Sequence, residues 1–167
     1  ASQALASTAI LACASEAQKA SWLPAMASGE AVVTLGLYDE ANWINPAAVT
    51  ASAKANGEGF VLQGKKPFVN DALAADYLLL AVQGPDGLAL AAVGKDQVTV
   101  TAQPTIDSTK PMASVNIDGV EISGRDLLPI SEAQLAFLTD CGGVATTAEM
   151  VGAGAAILAM TNGYAKE

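Results

Sequence analysis

The order of hydrophobic and polar positions divides the chain into a helical start, a long middle part with two-residue alternation, and a helical end. Residues 1–20 are rich in alanine with apolar positions at helical spacing, so they predict an N-terminal helix that Pro24 limits. Residues 132–166 predict a long C-terminal helix, because Ser131 and Gln134 have the spacing of a capping box at its start.

Short runs of alternating apolar and polar residues in the middle of the chain predict an antiparallel sheet. An Asn-Gly pair at residues 56–57 joins residues 49–54 to residues 60–63, which is typical of a β-hairpin. A turn containing Pro and Gly joins residues 77–82 to residues 88–93 in a second hairpin. Further strands are predicted at residues 31–36, 97–102 and 114–122. Strands of this number and length indicate a closed barrel or a sandwich.

The predicted fold class is therefore α+β: an antiparallel β-barrel or orthogonal sandwich flanked by an N-terminal helix and a long C-terminal helix, within a larger helix-barrel-helix protein. We expect residues 1–29 to end an N-terminal helical domain, residues 30–129 to form the middle β-barrel domain, and residues 130–167 to be the truncated first helix of a C-terminal helical domain. Glycines at positions 142, 143, 152 and 154 each cost roughly 1 kcal/mol relative to alanine, which implies close helix neighbours. Residue 1 is not methionine, so we expect a fragment of a longer polypeptide.

The composition excludes several classes of function. The 167 residues carry 8 basic and 17 acidic side chains, a net charge of −9, with the basic ones scattered singly, so we expect no nucleic-acid partner. The chain has no histidine, which excludes a Ser-His-Asp triad and a His-ligated zinc site. A mean hydropathy of +0.36 with only 15% charged residues suggests that other protein covers part of the surface.

The cysteines and the apolar stretches bear on localisation. Cys13 and Cys141 lie far apart in apolar surroundings, and we expect free buried thiols in a reducing cytoplasm. Residues 141–161 are long enough to span a membrane, but Glu149 lies near their centre, where a charge is costly in lipid. We therefore expect a buried helix of a soluble protein and no membrane span.

Two polar and aromatic segments that follow strands are candidates for chemistry. Residues 64–71 combine a lysine pair with Phe68, whose ring can stack on a flat ligand, but the residues alone favour a solvated turn with this ring in the core. Residues 38–43 contain the adjacent carboxylates Asp39 and Glu40, which point opposite ways in an extended chain and make a poor acid/base pair. A third segment, residues 107–110, is predicted to be a surface turn.

These segments together resemble the acyl-CoA dehydrogenases, flavoproteins with a helix, β-barrel, helix plan. The resemblance is collinear over the whole chain, and the hairpin with its following loop is similar to the family pattern Gly-x-x-x-Leu-x-Gly-x-Lys-x-aromatic. The other matching motifs are Gln-Lys at 18–19, Trp-Leu-Pro at 22–24, Ala-Ser-Gly-Glu at 27–30, Ala-Ala-Asp at 74–76, Ala-Glu-Met-Val-Gly at 148–152 and Tyr-Ala-Lys-Glu at 164–167.

The resemblance implies FAD as the cofactor and assigns residues to it. Phe68 stands where the family has the aromatic residue beside the flavin ring, and Asn70 where it has a hydroxyl residue touching the flavin. Leu37 and Tyr38 stand where backbone and side-chain groups meet the isoalloxazine, and Trp43 is the candidate for substrate binding. The implied partners are an acyl-CoA substrate, an electron-transfer acceptor flavoprotein and further subunits in a homo- or hetero-oligomer.

The chain departs from the family pattern in two places. Residues 38–46 replace the usual Thr-Glu-Pro-x-x-Gly-Ser-Asp signature, and residues 43–49 resemble a divergent subgroup that includes sterol side-chain enzymes and catalytically degenerate subunits. The resemblance implies that the general base lies, as in most of the family, in the C-terminal helical domain outside this chain. The position that a minority of the family uses, after the barrel, falls near Gly142, so no catalytic residue is assigned, and Glu149 is interpreted as structural.

The implied function is α,β-dehydrogenation of an acyl-CoA thioester with FAD as hydride acceptor. This chain would form the wall behind the flavin and part of the acyl-CoA cleft. The alternatives are a non-enzymatic, degenerate partner subunit and a barrel binding module.

Overall fold

The computed structural model describes residues 2–39 and 48–166, which form two sheets and three long helices. The helices are α1 (Ser2–Cys13), α2 (Glu16–Ser28) and α3 (Glu132–Tyr164). The predicted capping box at the start of α3 is present: the Ser131 hydroxyl accepts from the Gln134 N–H at 3.1 Å, and the Gln134 side chain accepts from the Ser131 N–H. The fold class is α+β, as predicted.

The prediction of one N-terminal helix ended by Pro24 is wrong. The helix breaks before Ser15, because Ser15 and Gln18 form a second capping box that starts α2 in a new direction. Pro24 lies inside α2, where it removes one backbone hydrogen bond without ending the helix. The helix ends instead at Gly29, whose left-handed backbone (φ 79°) closes its C-terminus.

Both predicted hairpins are present, as strand pairs β2–β3 and β5–β6. The strands of the described residues are β1 (Val33–Gly36), β2 (Ser52–Asn56), β3 (Gly59–Gln63), β4 (Lys65–Asn70), β5 (Tyr77–Gly84), β6 (Gly87–Gly94), β7 (Thr99–Gln103), β8 (Met112–Asn116), β9 (Glu121–Ser123) and β10 (Leu127–Pro129). The larger sheet runs β10-β6-β5-β2-β3-β9 with β1 also on β5, and the smaller runs β4-β8-β7. Most pairs are antiparallel, but β1 pairs with β5 in parallel.

The single strand predicted at residues 114–122 is wrong. Two strands replace it, since a turn at Gly119 (φ 78°) reverses the chain after β8. Strand β8 pairs with β4 and β7, whereas β9 pairs with β3 in the other sheet.

The central strands β5 and β6 are buried on both faces, which explains their continuous apolar sequence. Leu78, Leu80 and Val82 face the core between the two sheets. Leu79 and Ala81 face a second core that the helices cover, with Leu135 and Leu138 of α3 among its members. The larger sheet is thus the middle layer between a helical layer and the smaller sheet.

Helix α3 packs on the rest of the chain only near its start. A Cβ at Gly142 would lie 3.9 Å from the Leu5 side chain of α1, but a Cβ at Gly143, Gly152 or Gly154 would meet no atom within 4 Å. From residue 146 onward every described residue of α3 is exposed. Among the described residues the expected burial of α3 is therefore not found, and α3 is the one helix among them that is long and apolar enough to cross a membrane.

Candidate functional site

A cleft of about 770 Å³ lies where the end of β1 comes beside β4, between α1 and the first half of α3. Four residues nominated from the sequence line this cleft together: Leu37, Tyr38, Phe68 and Asn70. The fifth, Trp43, lies outside the described residues. The described chain therefore brings residues 37–38 and 68–70 to one place, although about thirty residues separate them in sequence.

Phe68 projects into the cleft because strand β4 is irregular at this point. The β4–β8 register shifts between Lys66 and Val69, and Pro67 in this interval has no N–H to offer a neighbouring strand. Phe68 has a left-handed backbone (φ 56°), and its N–H donates to the Gln103 side chain at 2.9 Å. Its side chain is 51% exposed, so the core position considered from the sequence is wrong.

Strand β1 is held tightly against β4 beneath the cleft. The buried Thr34 hydroxyl donates to the Asn70 carbonyl at 2.6 Å. A Cβ at Gly36 would lie 2.8 Å from Leu80 and 3.0 Å from Val69, so only glycine allows this close approach. The two strands therefore form a rigid floor from which residues 37–38 and 68–70 extend.

A buried ion pair lies next to these residues in sequence. Lys66 is 0% and Asp39 is 3% exposed, with 2.5 Å between Nζ and Oδ1. The other carboxylate oxygen accepts from the Thr50 N–H, from the Thr50 hydroxyl at 3.0 Å and from the Ala51 N–H at 3.1 Å. Burial by itself raises the pKa of Asp39, but the Lys66 ammonium and these N–H donors outweigh it and hold the pKa below its usual value.

A second ion pair, between Lys110 and Glu149, spans the cleft from the β7–β8 connection to α3. Both side chains are partly exposed, so the pair contributes little stability. The hydrogen bond from Lys110 lowers the pKa of Glu149, which is therefore ionised at neutral pH. The sequence predicted a surface turn at residues 107–110 and a structural role for Glu149. Neither prediction indicated that Lys110 and Glu149 meet at the cleft.

The Asp39–Lys66 pair was also missed by the sequence analysis, which considered Asp39 only with its neighbour Glu40. A buried aspartate and lysine 27 positions apart leave no local pattern. The signal available in the sequence was an acidic residue, Asp39, in the candidate segment 38–43 and a basic residue, Lys66, in the candidate segment 64–71. That signal becomes specific only when the strands are known to be neighbours.

Comparisons with known proteins give one consistent result. No protein-family profile matches the chain. A curated protein, acyl-CoA dehydrogenase AFT10-1 of Alternaria alternata, is 28% identical over 120 residues, which are 68% of this chain and 28% of that protein. Among solved structures, a glutaryl-CoA dehydrogenase from Mycobacterium smegmatis in complex with FADH2 is 27% identical with a TM-score of 0.71, and the match covers 78% of this chain and 35% of that one.

A third similar structure is a glutaryl-CoA dehydrogenase in its glutaryl-CoA complex, with 20% identity and a TM-score of 0.70; at that identity it shows the shared fold alone. The match covers 77% of this chain and 35% of that one. The chain thus spans about a third of the length of the proteins it matches. The resemblance stated from the sequence motifs is confirmed by these structural neighbours.

Proposed function

From the likeness of this chain to the acyl-CoA dehydrogenases in sequence and fold, we propose that it forms the flavin-facing wall of an FAD-dependent dehydrogenase acting on an acyl-CoA thioester. One observation carries the proposal: Leu37, Tyr38, Phe68 and Asn70 line a single cleft. They were nominated for the flavin from sequence motifs alone. Nothing in the local sequence requires residues 37–38 and 68–70 to meet.

The cleft fits the ring system of a flavin in size and chemistry. Its volume of about 770 Å³ lies within the range of roughly 300–1,000 Å³ typical of cofactor and ligand sites. A flavin has a flat apolar face and a polar edge, and the cleft offers the half-exposed ring of Phe68, the apolar side chains of Leu35 and Leu37, and the amide of Asn70. These residue types match both parts of the ring system.

The residues of this chain would bind and orient the cofactor. The Phe68 ring would pack on the flavin, and backbone and side-chain groups of Leu37 and Tyr38 would meet the isoalloxazine. FAD, when bound, supplies the hydride-accepting chemistry that no side chain can supply. The irregular backbone that exposes Phe68 is a feature of binding sites, where residues in sparsely populated backbone conformations collect.

The finer parts of the proposal concern substrate and assembly. We propose α,β-dehydrogenation of an acyl-CoA thioester, with Trp43 near the substrate and electrons passed to an acceptor flavoprotein in the cytoplasm. The exposed apolar side chains of α3, among them Met150, Ile157 and Leu158, would be covered by further helices and by other subunits of an oligomer. The division into residues 1–29, 30–129 and 130–167 belongs to the same proposal.

A non-enzymatic role is the second candidate, and the replacement of the Thr-Glu-Pro-x-x-Gly-Ser-Asp signature at residues 38–46 favours it. Within the described residues, Asp71 and Glu149 are the carboxylates that line the cleft. Asp71 accepts a hydrogen bond from Ser2 at 2.5 Å, and Glu149 is paired with Lys110. Neither is poised to remove a proton from a substrate, so the described residues could hold a flavin, in a dehydrogenase, a degenerate subunit or a barrel binding module, without supplying the base.

Two steps of one experiment separate these candidates. The complete natural polypeptide is purified, its bound cofactor is released by denaturation and identified by mass, and the folded protein is then mixed with a series of acyl-CoA thioesters without oxygen. Loss of the flavin absorption band on mixing supports the dehydrogenase. Bound FAD that no thioester reduces supports the degenerate subunit. A folded protein that neither contains nor takes up FAD contradicts the proposal.

A further inference from the structure

The Asp39–Lys66 pair is the most completely buried charged group among the described residues, and the cleft chemistry above does not use it. Both side chains are almost without solvent contact, at 3% and 0% exposure. Removing two charges from water is costly, and a buried ion pair is often no more stabilising than apolar residues of the same size. A contribution to stability therefore does not by itself explain why this pair is present.

The position of the pair along the chain links the two segments that line the cleft. Asp39 directly follows Tyr38, and Lys66 is separated from Phe68 only by the buried Pro67. The bond of 2.5 Å between their charged atoms thus connects both segments behind the cleft. The remaining oxygen of Asp39 binds Thr50 and the next residue, so the start of the following chain segment is tied to the same point.

Phe68 needs such support because its backbone is strained. A non-glycine residue with φ near +56° is held by its surroundings and does not adopt this conformation by preference. The Gln103 side chain fixes the Phe68 N–H from one side. On the N-terminal side, the buried ion pair of Lys66 with Asp39 holds the chain two residues before Phe68.

We infer that Asp39 and Lys66 are positioning residues for the flavin: they touch neither the cofactor nor the substrate, and they fix the separation and orientation of the Leu37–Tyr38 and Phe68–Asn70 segments that meet it. This inference rests on the proposed function. It goes beyond that function by assigning cofactor geometry to a pair of residues outside the cleft. A misplacement of about 1 Å, even one caused by a mutation far from the reacting atoms, can lower the rate of an enzymatic reaction on the order of 100-fold.

The test compares cofactor binding with stability in variants of the complete polypeptide. The variants are Asp39→Asn, Lys66→Met, the double variant, and the milder Thr50→Val, which removes one hydrogen bond to Asp39 without leaving a charge unpaired. The control is Lys65→Met, the same substitution at the exposed neighbouring position on the same strand. The readouts are the FAD dissociation constant, the visible circular dichroism of bound FAD and the thermal unfolding midpoint.

The double variant decides the question, because it contains no unpaired buried charge and recovers most of the stability that each single variant loses. A positioning role predicts that it still binds FAD about tenfold more weakly than the wild type, with altered circular dichroism of the flavin, and that Thr50→Val shows the same change to a smaller degree. The inference is overturned if the FAD affinity and the circular dichroism of bound FAD have wild-type values in both the double variant and Thr50→Val.

The outcome for the wild type separates the inference from the proposed function. If the wild type binds no FAD, the proposed function fails, and the inference fails with it. If the wild type and Lys65→Met bind FAD equally well while the double variant and Thr50→Val also bind normally, only the inference fails. If the double variant does not fold, Thr50→Val decides the question. Thr50 is at an exposed position, and an unfolding midpoint equal to that of the wild type shows that the variant is folded.

Discussion

The left-handed backbone of Phe68 makes a prediction about two variants that lose the same cofactor affinity and differ in stability. Replacing Phe68 by alanine removes the ring and keeps the strained backbone, whereas replacing it by glycine removes the ring and relieves the strain. A non-glycine residue in the left-handed region costs roughly 1–2 kcal/mol. Glycine loses about 0.5–1 kcal/mol more backbone entropy on folding than alanine.

The difference between these costs gives the expected magnitude. The glycine variant should be more stable than the alanine variant by about 0.5–1 kcal/mol, which corresponds to roughly 1–4 °C in thermal midpoint for a protein of this size. Both variants lose the same stacking surface, and an aromatic contact contributes about 0.5–1.5 kcal/mol beyond its buried area. We therefore expect both to bind FAD several-fold to about tenfold more weakly than the wild type.

The assay is a pair of measurements on each variant: FAD titration followed by flavin fluorescence, and thermal unfolding followed by circular dichroism. Phe137→Ala is the matched control, because its ring is 48% exposed, close to the 51% of Phe68, and it does not line the cleft. It should leave the FAD dissociation constant unchanged. An alanine variant at least as stable as the glycine variant, or either variant with wild-type FAD affinity, would refute the reasoning.

Three further predictions concern stability and are each checked by denaturant unfolding. Because the pKa of Asp39 is lowered in the folded protein, its ionised form stabilises the fold above about pH 4, and the stability difference between the wild type and Asp39→Asn should shrink as pH falls below that value. Gly64→Ala should lower the free energy of unfolding by at least about 1 kcal/mol more than Gly57→Ala. Both glycines have positive φ, but the new Cβ would lie 2.9 Å from the Ala51 side chain at Gly64 and would meet no atom within 4 Å at Gly57. Ser131→Ala should lower the free energy of unfolding by about 1 kcal/mol, because it removes the N-terminal cap of α3. Ser123→Ala, at a position without a capping hydrogen bond, should change the free energy of unfolding by no more than about 0.5 kcal/mol.

The parts of the fold that depend on neighbouring residues could be predicted from the sequence. The Asn-Gly turn specifies the β2–β3 hairpin through its backbone preference, and the Ser131–Gln134 spacing specifies the start of α3. The break before Ser15 carries the same capping signal, with Gln18 three residues later, but the alanine-rich pattern on both sides concealed it.

The parts that depend on distant residues could not be predicted in this way. The turn at Gly119 sends β8 and β9 to different sheets, and only their partners in space distinguish this from one long alternating strand. The meeting of Lys66 with Asp39 has the same origin, since the approach of β1 to β4 creates it. The residues nominated for the cleft came from the family resemblance, which carries such long-range information in its motifs.

The measurement that tests the central claim most directly is the FAD content of the purified, folded protein. Denaturation should release FAD in a one-to-one ratio to the polypeptide, or the apoprotein should take up FAD to that ratio, and Phe68→Ala should reduce its affinity while Phe137→Ala should not. A folded wild-type protein that contains no FAD and takes up none at saturating concentration would contradict the account.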